Sequence, residues 1–423
     1  MKQVIKHFFV YSGGWLFFKS THFLLMPWQL KFLSPADLGL VSLCSSFVAI
    51  AALLLSCGLR TVFSLEFFHK DEKGRKMLIN DLLSIYLCIA VPFLFFFISR
   101  TAWVNSTFFQ GQLEMVSLIL IGIQSFFSFF VDLFYQILVF NKKPLLVAGI
   151  QCTSALLIII FSYKALHQGS GVKGLLVVQT GGLMLMTLIG LGAYIQQKMF
   201  CFHDIRRIFI SGKAYFLVGL SLLPSIFAGW ANASCNRWML SYFCHLNDVG
   251  IYSLLDNVRS FGEIILIYPL TRSYVPFIFE QFIQKKERIP SLDERNKKVM
   301  WLLMGIIGMA MVAGNFCIKF FLYRLLPLQY HVVIPYMLFM ALSNVFLMGS
   351  YFLLCVIQFH KKTGYMISAT MLCAGTSGLL SYLLIPRFFL AGATGAYLIG
   401  SVVYFGILWL FNRRVHSSLQ KTL

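Results

Sequence analysis

Acidic residues are scarce in this 423-residue chain: 15 Asp and Glu stand against 35 Lys and Arg. Charge of either sign is sparse, at 12% of residues, while 59% are hydrophobic and the mean hydropathy is +0.79. Soluble domains carry roughly 25% charged residues, so a water-soluble globule is excluded. Metal chemistry has no support. The ten cysteines are scattered, mostly within apolar runs as small buried residues, without a Cys-x-x-Cys, and the nine histidines are equally dispersed. No cofactor is expected. The first apolar run, about 8–32, is too long for a signal peptide and lacks an Ala-x-Ala cleavage site, which makes it a retained span. The connections between apolar runs are short. Those on the outer side lack an arranged Glu/Asp/His constellation, which argues against an enzyme.

What is present is a series of long apolar runs. Twelve are expected as spans, at 10–31, 38–62, 82–99, 114–139, 145–163, 174–195, 214–240, 250–274, 299–321, 334–357, 365–384 and 396–411. Each is long enough to cross a bilayer as a helix whose backbone bonds are satisfied internally. The fold class is therefore all-α integral membrane. With the N-terminus inside, 23 of the 35 basic residues fall in the inner connections and termini and 7 in the outer ones. The positive-inside rule then places both termini in the cytoplasm. The formal charge of +20 is an orientation signal and a lipid-headgroup contact, so nucleic acid is not an expected partner.

The chain repeats itself. Ser34-Pro35-Ala36-Asp37-Leu38-Gly39-Leu40-Val41-Ser42-Leu43 aligns without a gap on His245-Leu246-Asn247-Asp248-Val249-Gly250-Ile251-Tyr252-Ser253-Leu254. Phe140-Asn141-Lys142-Lys143 matches Phe359-His360-Lys361-Lys362, and Gly171-x-x-Gly174 matches Gly392-x-x-Gly395. Repeated anchors half a chain apart predict two equivalent halves, 1–196 and 214–423, joined by a basic linker at 197–213. Six spans per half give both the same orientation, hence two parallel six-helix bundles. Asp37 and Asp248 are expected to cap the helices that follow them, and Gly39 and Gly250 to permit a tight approach.

Ionisable residues within spans are costly and face a protein interior or a wet cavity. The set here is Lys19 and His22 in span one, Arg60 in span two, Asp132 in span four, Arg237 in span seven, and Asp256, Arg259 and Glu263 in span eight. Lys19 and His22 share a helical face, as do Asp256, Arg259 and Glu263. If Lys19, Arg60, Arg237 and Arg259 converge, with His22 beside them, they form a cationic chamber suited to phosphate. Asp132, Asp256 and Glu263 are then the candidates for ion or proton coupling, because a buried carboxylate can be neutralised by protonation.

Three blocks resemble the polysaccharide-export flippases of the multidrug/oligosaccharidyl-lipid/polysaccharide exporter superfamily. They are Leu33-Ser34-Pro35-x-Asp37-x-Gly39 after span one, Pro224…Trp230…Asn236-Arg237…Asp248-Val249-Gly250-Ile251-Tyr252-Ser253, and Leu384-Ile385-Pro386…Gly392-Ala393…Gly395-Ala396 before the last span. One departure stands out: the family often has Asp before the span-seven arginine, and here it is Asn236, which leaves Arg237 without a local acid. The resemblance implies a bacterial inner-membrane transporter. It would carry undecaprenyl-diphosphate-linked oligosaccharide between leaflets by alternating access about a central cavity, with a polysaccharide polymerase and a chain-length regulator as partners. Related flippases for peptidoglycan precursors use basic residues in spans one, two and eight, the spans that hold Lys19, Arg60 and Arg259. Two alternatives are other transporters: a multidrug exporter of the same superfamily, or a major facilitator, whose cytoplasmic signature is similar to Asp71-x-x-Gly74-Arg75-Lys76.

Overall fold

The computed structural model describes residues 2–141, 143–196, 205–267, 274, 278–282, 289–360 and 362–420. Among these residues the regular elements are all helical. The spans correspond to α1 (Lys2–Phe32), α2 (Pro35–Ser56), α4 (Glu72–Ser99), α6 (Met115–Phe140), α7 (Pro144–His167), α8 (Gly171–Gln196), α9 (Ile205–Phe243), α10 (Leu246–Gly262), α11 (Ile289–Leu325) and α12 (Met337–Phe359). The helix Thr363–Gln420 is broken at Phe389, whose φ of 50° and ψ of −123° lie outside the helical region. Its arms are α13 (363–388) and α14 (390–420). Among the described residues nine helices are long and apolar enough to cross a membrane, with Thr363–Val415 taken as one. The linker residues 197–204 and the second half of the eighth predicted span, after residue 267, lie outside the described residues.

Four local features depart from plain rods. The second predicted span breaks at Cys57 and Gly58, both with positive φ, and resumes as the short α3 (Leu59–Glu66). Gly58 is required there because a Cβ would lie 2.4 Å from the Gly219 carbonyl oxygen. A further short helix, α5 (Thr101–Phe108), follows α4. α10 passes into a π-helical turn at Glu263–Ile267, and a 3-10 segment at Leu328–Tyr336 leads into α12.

The chain forms two compact units, one of residues 1–33 and 40–227, the other of residues 34–39 and 228–423. The division falls inside α9. Within the first unit α1 lies against α7, where Gly14 meets Ala148 and a Cβ would be 2.8 Å from the Ala148 Cα. In lipid, where apolar burial gives little drive, such small-residue contacts let backbones approach closely. The core of this unit is aromatic: Tyr86 stacks on Phe129 with ring centroids 4.1 Å apart, and Phe63 on Phe140 at 5.4 Å. Gln124 of α6 donates to the Leu176 carbonyl and the Thr180 hydroxyl of α8, and the Tyr194 hydroxyl donates to Asn80. Every polar group here needs such a partner, since no bulk water competes. The second unit has its own core around Met300, Met348, Phe352, Leu353 and Leu408.

The repeat is visible in local geometry. Asp37 accepts from the Ser34 amide at 3.2 Å and Asp248 from the His245 amide at 3.2 Å, each reaching back over its helix start. The turn after α6 and the turn after α12 have equivalent bonds. Asn141 N–H donates to Ile137 and Lys143 N–H to Leu138; His360 N–H donates to Val356 and Lys362 N–H to Ile357.

The two copies of the Asp-x-Gly turn also meet. Residues 34–39 belong to the second unit, and there a Cβ on Gly39 would sit 2.3 Å from the Leu246 oxygen, and one on Gly250 would sit 1.8 Å from the Pro35 oxygen. Both obstacles are backbone, so neither can swing aside. Gly250→Ala is expected to lower the unfolding temperature of the purified protein in detergent by about 5 °C or more, or to abolish its accumulation. Gly229→Ala in α9, where nothing lies within 4 Å of the added carbon, is expected to be tolerated. Thermal unfolding of the two variants side by side checks this.

Candidate functional site

The eight ionisable residues predicted from sequence fall into two clusters. Lys19, His22, Arg60 and Asp132 belong to the first unit; Arg237, Asp256, Arg259 and Glu263 belong to the second. The four cations are thus sorted two and two.

In the first cluster, the break at Cys57–Gly58 turns the chain so that α3 starts with Leu59 buried and Arg60 on its open side. Arg60 Nη1 donates to Asp132 Oδ2 of α6 at 3.0 Å. Both side chains remain about half exposed, 53% and 49%. Lys19 of α1 is exposed and lies within electrostatic reach of both. His22 follows one turn along the same face, also exposed. With one carboxylate against a lysine and an arginine, the cluster carries a net charge of about +1 with His22 neutral. An exposed ion pair of this kind contributes about 0–1 kcal/mol, so exchanging Asp132 for another anion costs little. Uncovered charges on membrane spans cost several kcal/mol each when they face hydrocarbon.

The second cluster has a different character. Asp256 is 6% exposed and sits between two guanidinium groups: Arg237 Nη2 donates to Oδ2, and Arg259 Nε donates to Oδ1 at 2.8 Å. Arg259 also donates to Glu263 at 3.0 Å and to the Ser260 hydroxyl at 3.0 Å. Its guanidinium carbon lies 4.9 Å from the centroid of the Tyr397 ring. From α12, the Asn344 amide donates to the Arg259 carbonyl at 2.8 Å, and its oxygen is 3.5 Å from Nη1. Two arginines and two carboxylates cancel, and Arg259 is 8% exposed. The sequence offered Arg237 no local acid; the next helix supplies Asp256.

Asn236, the departure from the family's usual aspartate, is 4% exposed and used as an amide. It donates to the Tyr252 hydroxyl at 2.9 Å and to the Ala393 carbonyl at 3.2 Å, and accepts from Ser381. An aspartate could make neither donation. Asn236 thereby ties α9 to α10, α13 and α14 without burying a third acid.

Sequence reasoning missed several participants. Asn344 and Tyr397 hold Arg259 but are uncharged, and a search for charges within spans passes over them. Asp81 is 5% exposed within α4 but falls one residue before the span predicted from 82. Asp293, 1% exposed, pairs with Lys297 at 2.6 Å in the first turns of α11, in a segment the charge pattern assigns to a cytoplasmic loop. No group of three or more His, Cys, Asp or Glu able to hold a metal ion occurs among the described residues.

No curated protein matches the sequence. Among solved structures, the chain is similar to the lipid II flippase MurJ in an inward closed conformation. The TM-score is 0.73 at 12% identity, covering 95% of this chain and 86% of that one. It is also similar to an inward-facing multidrug resistance MATE family transporter of the MOP superfamily, with TM-score 0.69, 16% identity and 96% of each chain covered. The Vibrio cholerae MATE transporter VcmN in its bent form gives TM-score 0.58 at 14% identity, over 99% of this chain and 98% of that one. At these identities the likeness is one of fold, that of multi-pass helical transporters. The profile of the family described as polysaccharide biosynthesis protein matches residues 4–282. That is well over half of the chain, which belongs to the polysaccharide biosynthesis protein family.

Proposed function

We propose that this protein is a flippase that carries undecaprenyl-diphosphate-linked oligosaccharide, such as an O-antigen or other surface-polysaccharide repeat unit, across the bacterial inner membrane. The observation that carries the reading is the exposed, net-positive Lys19–Arg60–Asp132 cluster within spans of a chain whose family makes polysaccharides. A diphosphate leaving water needs its hydration replaced, and an ammonium with a guanidinium does this well. Asp132 is the anion that the diphosphate displaces from Arg60. His22, one turn from Lys19, adds a donor for phosphate or sugar. The similarity to a structure titled as a lipid II flippase is consistent with a lipid-linked cargo.

The chemistry is translocation without bond making or breaking. The path opens to one side of the membrane at a time, the sugars pass through its polar interior, and the polyprenyl tail stays in lipid. Both termini are cytoplasmic, the repeats 1–196 and 214–423 are equivalent halves, 197–213 links them, and a polymerase and chain-length regulator receive the product. Asp132 is the candidate for proton or ion coupling, since it loses its cation when the diphosphate arrives. Asp256 and Glu263 are held by the two arginines and keep the second unit's charges balanced. A multidrug exporter of cationic drugs is the less favoured reading, because a net-positive path repels them.

Lys19→Ala and Arg60→Ala are each expected to reduce surface glycan about tenfold or more, with the protein still at wild-type levels in the membrane. Glycan staining alongside immunoblotting checks both halves of the expectation. Asp256→Asn should behave differently: it leaves two buried guanidinium groups with too little countercharge, at about 3–5 kcal/mol. The protein itself is then expected to be depleted or to unfold at lower temperature. A well-folded Asp256→Asn protein that selectively loses export would instead give Asp256 a direct transport role.

A further inference from the structure

A third charged cluster lies where α11 and α14 reach the edge of the spans. Trp409 of α14 receives a cation from each helix: Lys297 Nζ lies 5.7 Å from its ring centroid, and the Arg413 guanidinium carbon 5.4 Å. Trp301, one turn beyond Lys297 on α11, meets the Trp409 ring edge-on at 5.8 Å and is 51% exposed. Lys297 is not free to wander. The carboxylate of Asp293, four residues earlier and 1% exposed, holds its ammonium at 2.6 Å. Lys298 and Arg413 are exposed beside it. Among the described residues of this stretch the acids are Asp293, paired with Lys297, and the exposed Glu294, whose neighbour Arg295 donates to Gln281. Arg414 adds a further cation on α14.

This arrangement differs from a solvated lysine run. Two tryptophans form an amphipathic floor of the type that settles at headgroup depth. Two cations are fixed over one indole, and one of them is clamped by a buried carboxylate. The surface combines an apolar face for acyl chains with positive charge at the height of a lipid phosphate. We propose that the Lys297–Trp409–Arg413 surface, with Lys298 and Trp301, binds the headgroup of an anionic phospholipid of the phosphatidylglycerol class. Charge complementarity selects the anionic headgroup over a zwitterionic one, and the tryptophans select a lipid over a free phosphate. This site uses neither Lys19 nor Arg60, and it does not depend on the cargo proposed above.

The test is native mass spectrometry of the full-length protein, delipidated in detergent and titrated with phosphatidylglycerol, phosphatidylcholine or undecaprenyl diphosphate. Wild type is expected to retain phosphatidylglycerol in preference to phosphatidylcholine. Lys298→Ala/Arg413→Ala is expected to weaken phosphatidylglycerol retention by about tenfold or more, at about fivefold per cation, while leaving undecaprenyl diphosphate retention unchanged. Trp409→Leu, which keeps the charges, is expected to weaken it as well, with thermal unfolding confirming that each variant is folded. Lys143→Ala, which removes an exposed basic residue of the first unit, is the control and should change nothing. Equal retention of the two phospholipids by wild type would overturn the proposal. So would an equal loss in Lys143→Ala, which would mean diffuse attraction, or a loss confined to undecaprenyl diphosphate, which would assign the surface to the cargo. Failure of this test leaves the Lys19 and Arg60 expectations untouched.

Discussion

A charge carried into a hydrocarbon slab must find either an opposite charge or water, and the two units of this chain treat their charges differently. Around Asp256 the solution is pairing. Two arginines and two carboxylates enclose each other, with Asn344 and Tyr397 closing the remaining sides. Around Arg60 the pair with Asp132 stays half exposed, and Lys19 stands beside it unburied. The same residue types therefore do different jobs. A buried, balanced network resists rearrangement because removing one member strands the others, whereas an exposed pair with a surplus cation gives up its partner for little. That difference is why we propose the first cluster, and not the second, for anion recognition.

The helices around these clusters are arranged by close backbone approach. Gly14 on Ala148, Gly58 on Gly219, and Gly39 and Gly250 against the opposing copy of the turn are contacts at which a methyl group would collide. Lipid offers no hydrophobic reward for bringing helices together, so packing of this kind and satisfied polar pairs such as Gln124–Thr180 and Asn236–Ala393 carry the specificity. The Cys57–Gly58 break links the two themes: the glycine that lets α9 approach also re-aims the chain so that Arg60 faces outward.

Much of this was legible in the sequence. Apolar runs of about 20 residues give the number of spans because backbone satisfaction in lipid leaves one option. The Asp37/Asp248 repeat gave the helix starts, and its equivalent hydrogen bonds follow from equivalent residues. All eight ionisable positions were found by their cost. What the sequence withheld was pairing across helices. Arg237 looked partnerless because its acid lies on the next helix. Asn344 and Tyr397 carry no charge to draw notice. Asp81 sat just outside a boundary set by hydropathy alone. The sequence also did not separate the exposed cations Lys19 and Arg60 from the enclosed Arg259, since burial and exposure depend on neighbours tens to hundreds of residues away.

The central claim is that Lys19 and Arg60, and not the arginines around Asp256, supply the positive charge that holds the diphosphate. The most direct measurement is the affinity of the purified protein for undecaprenyl diphosphate, in wild type and in a Lys19→Gln/Arg60→Gln variant shown to be folded. The account predicts a loss of about a hundredfold or more, two charge-assisted contacts being removed. Wild-type affinity in that variant would contradict it.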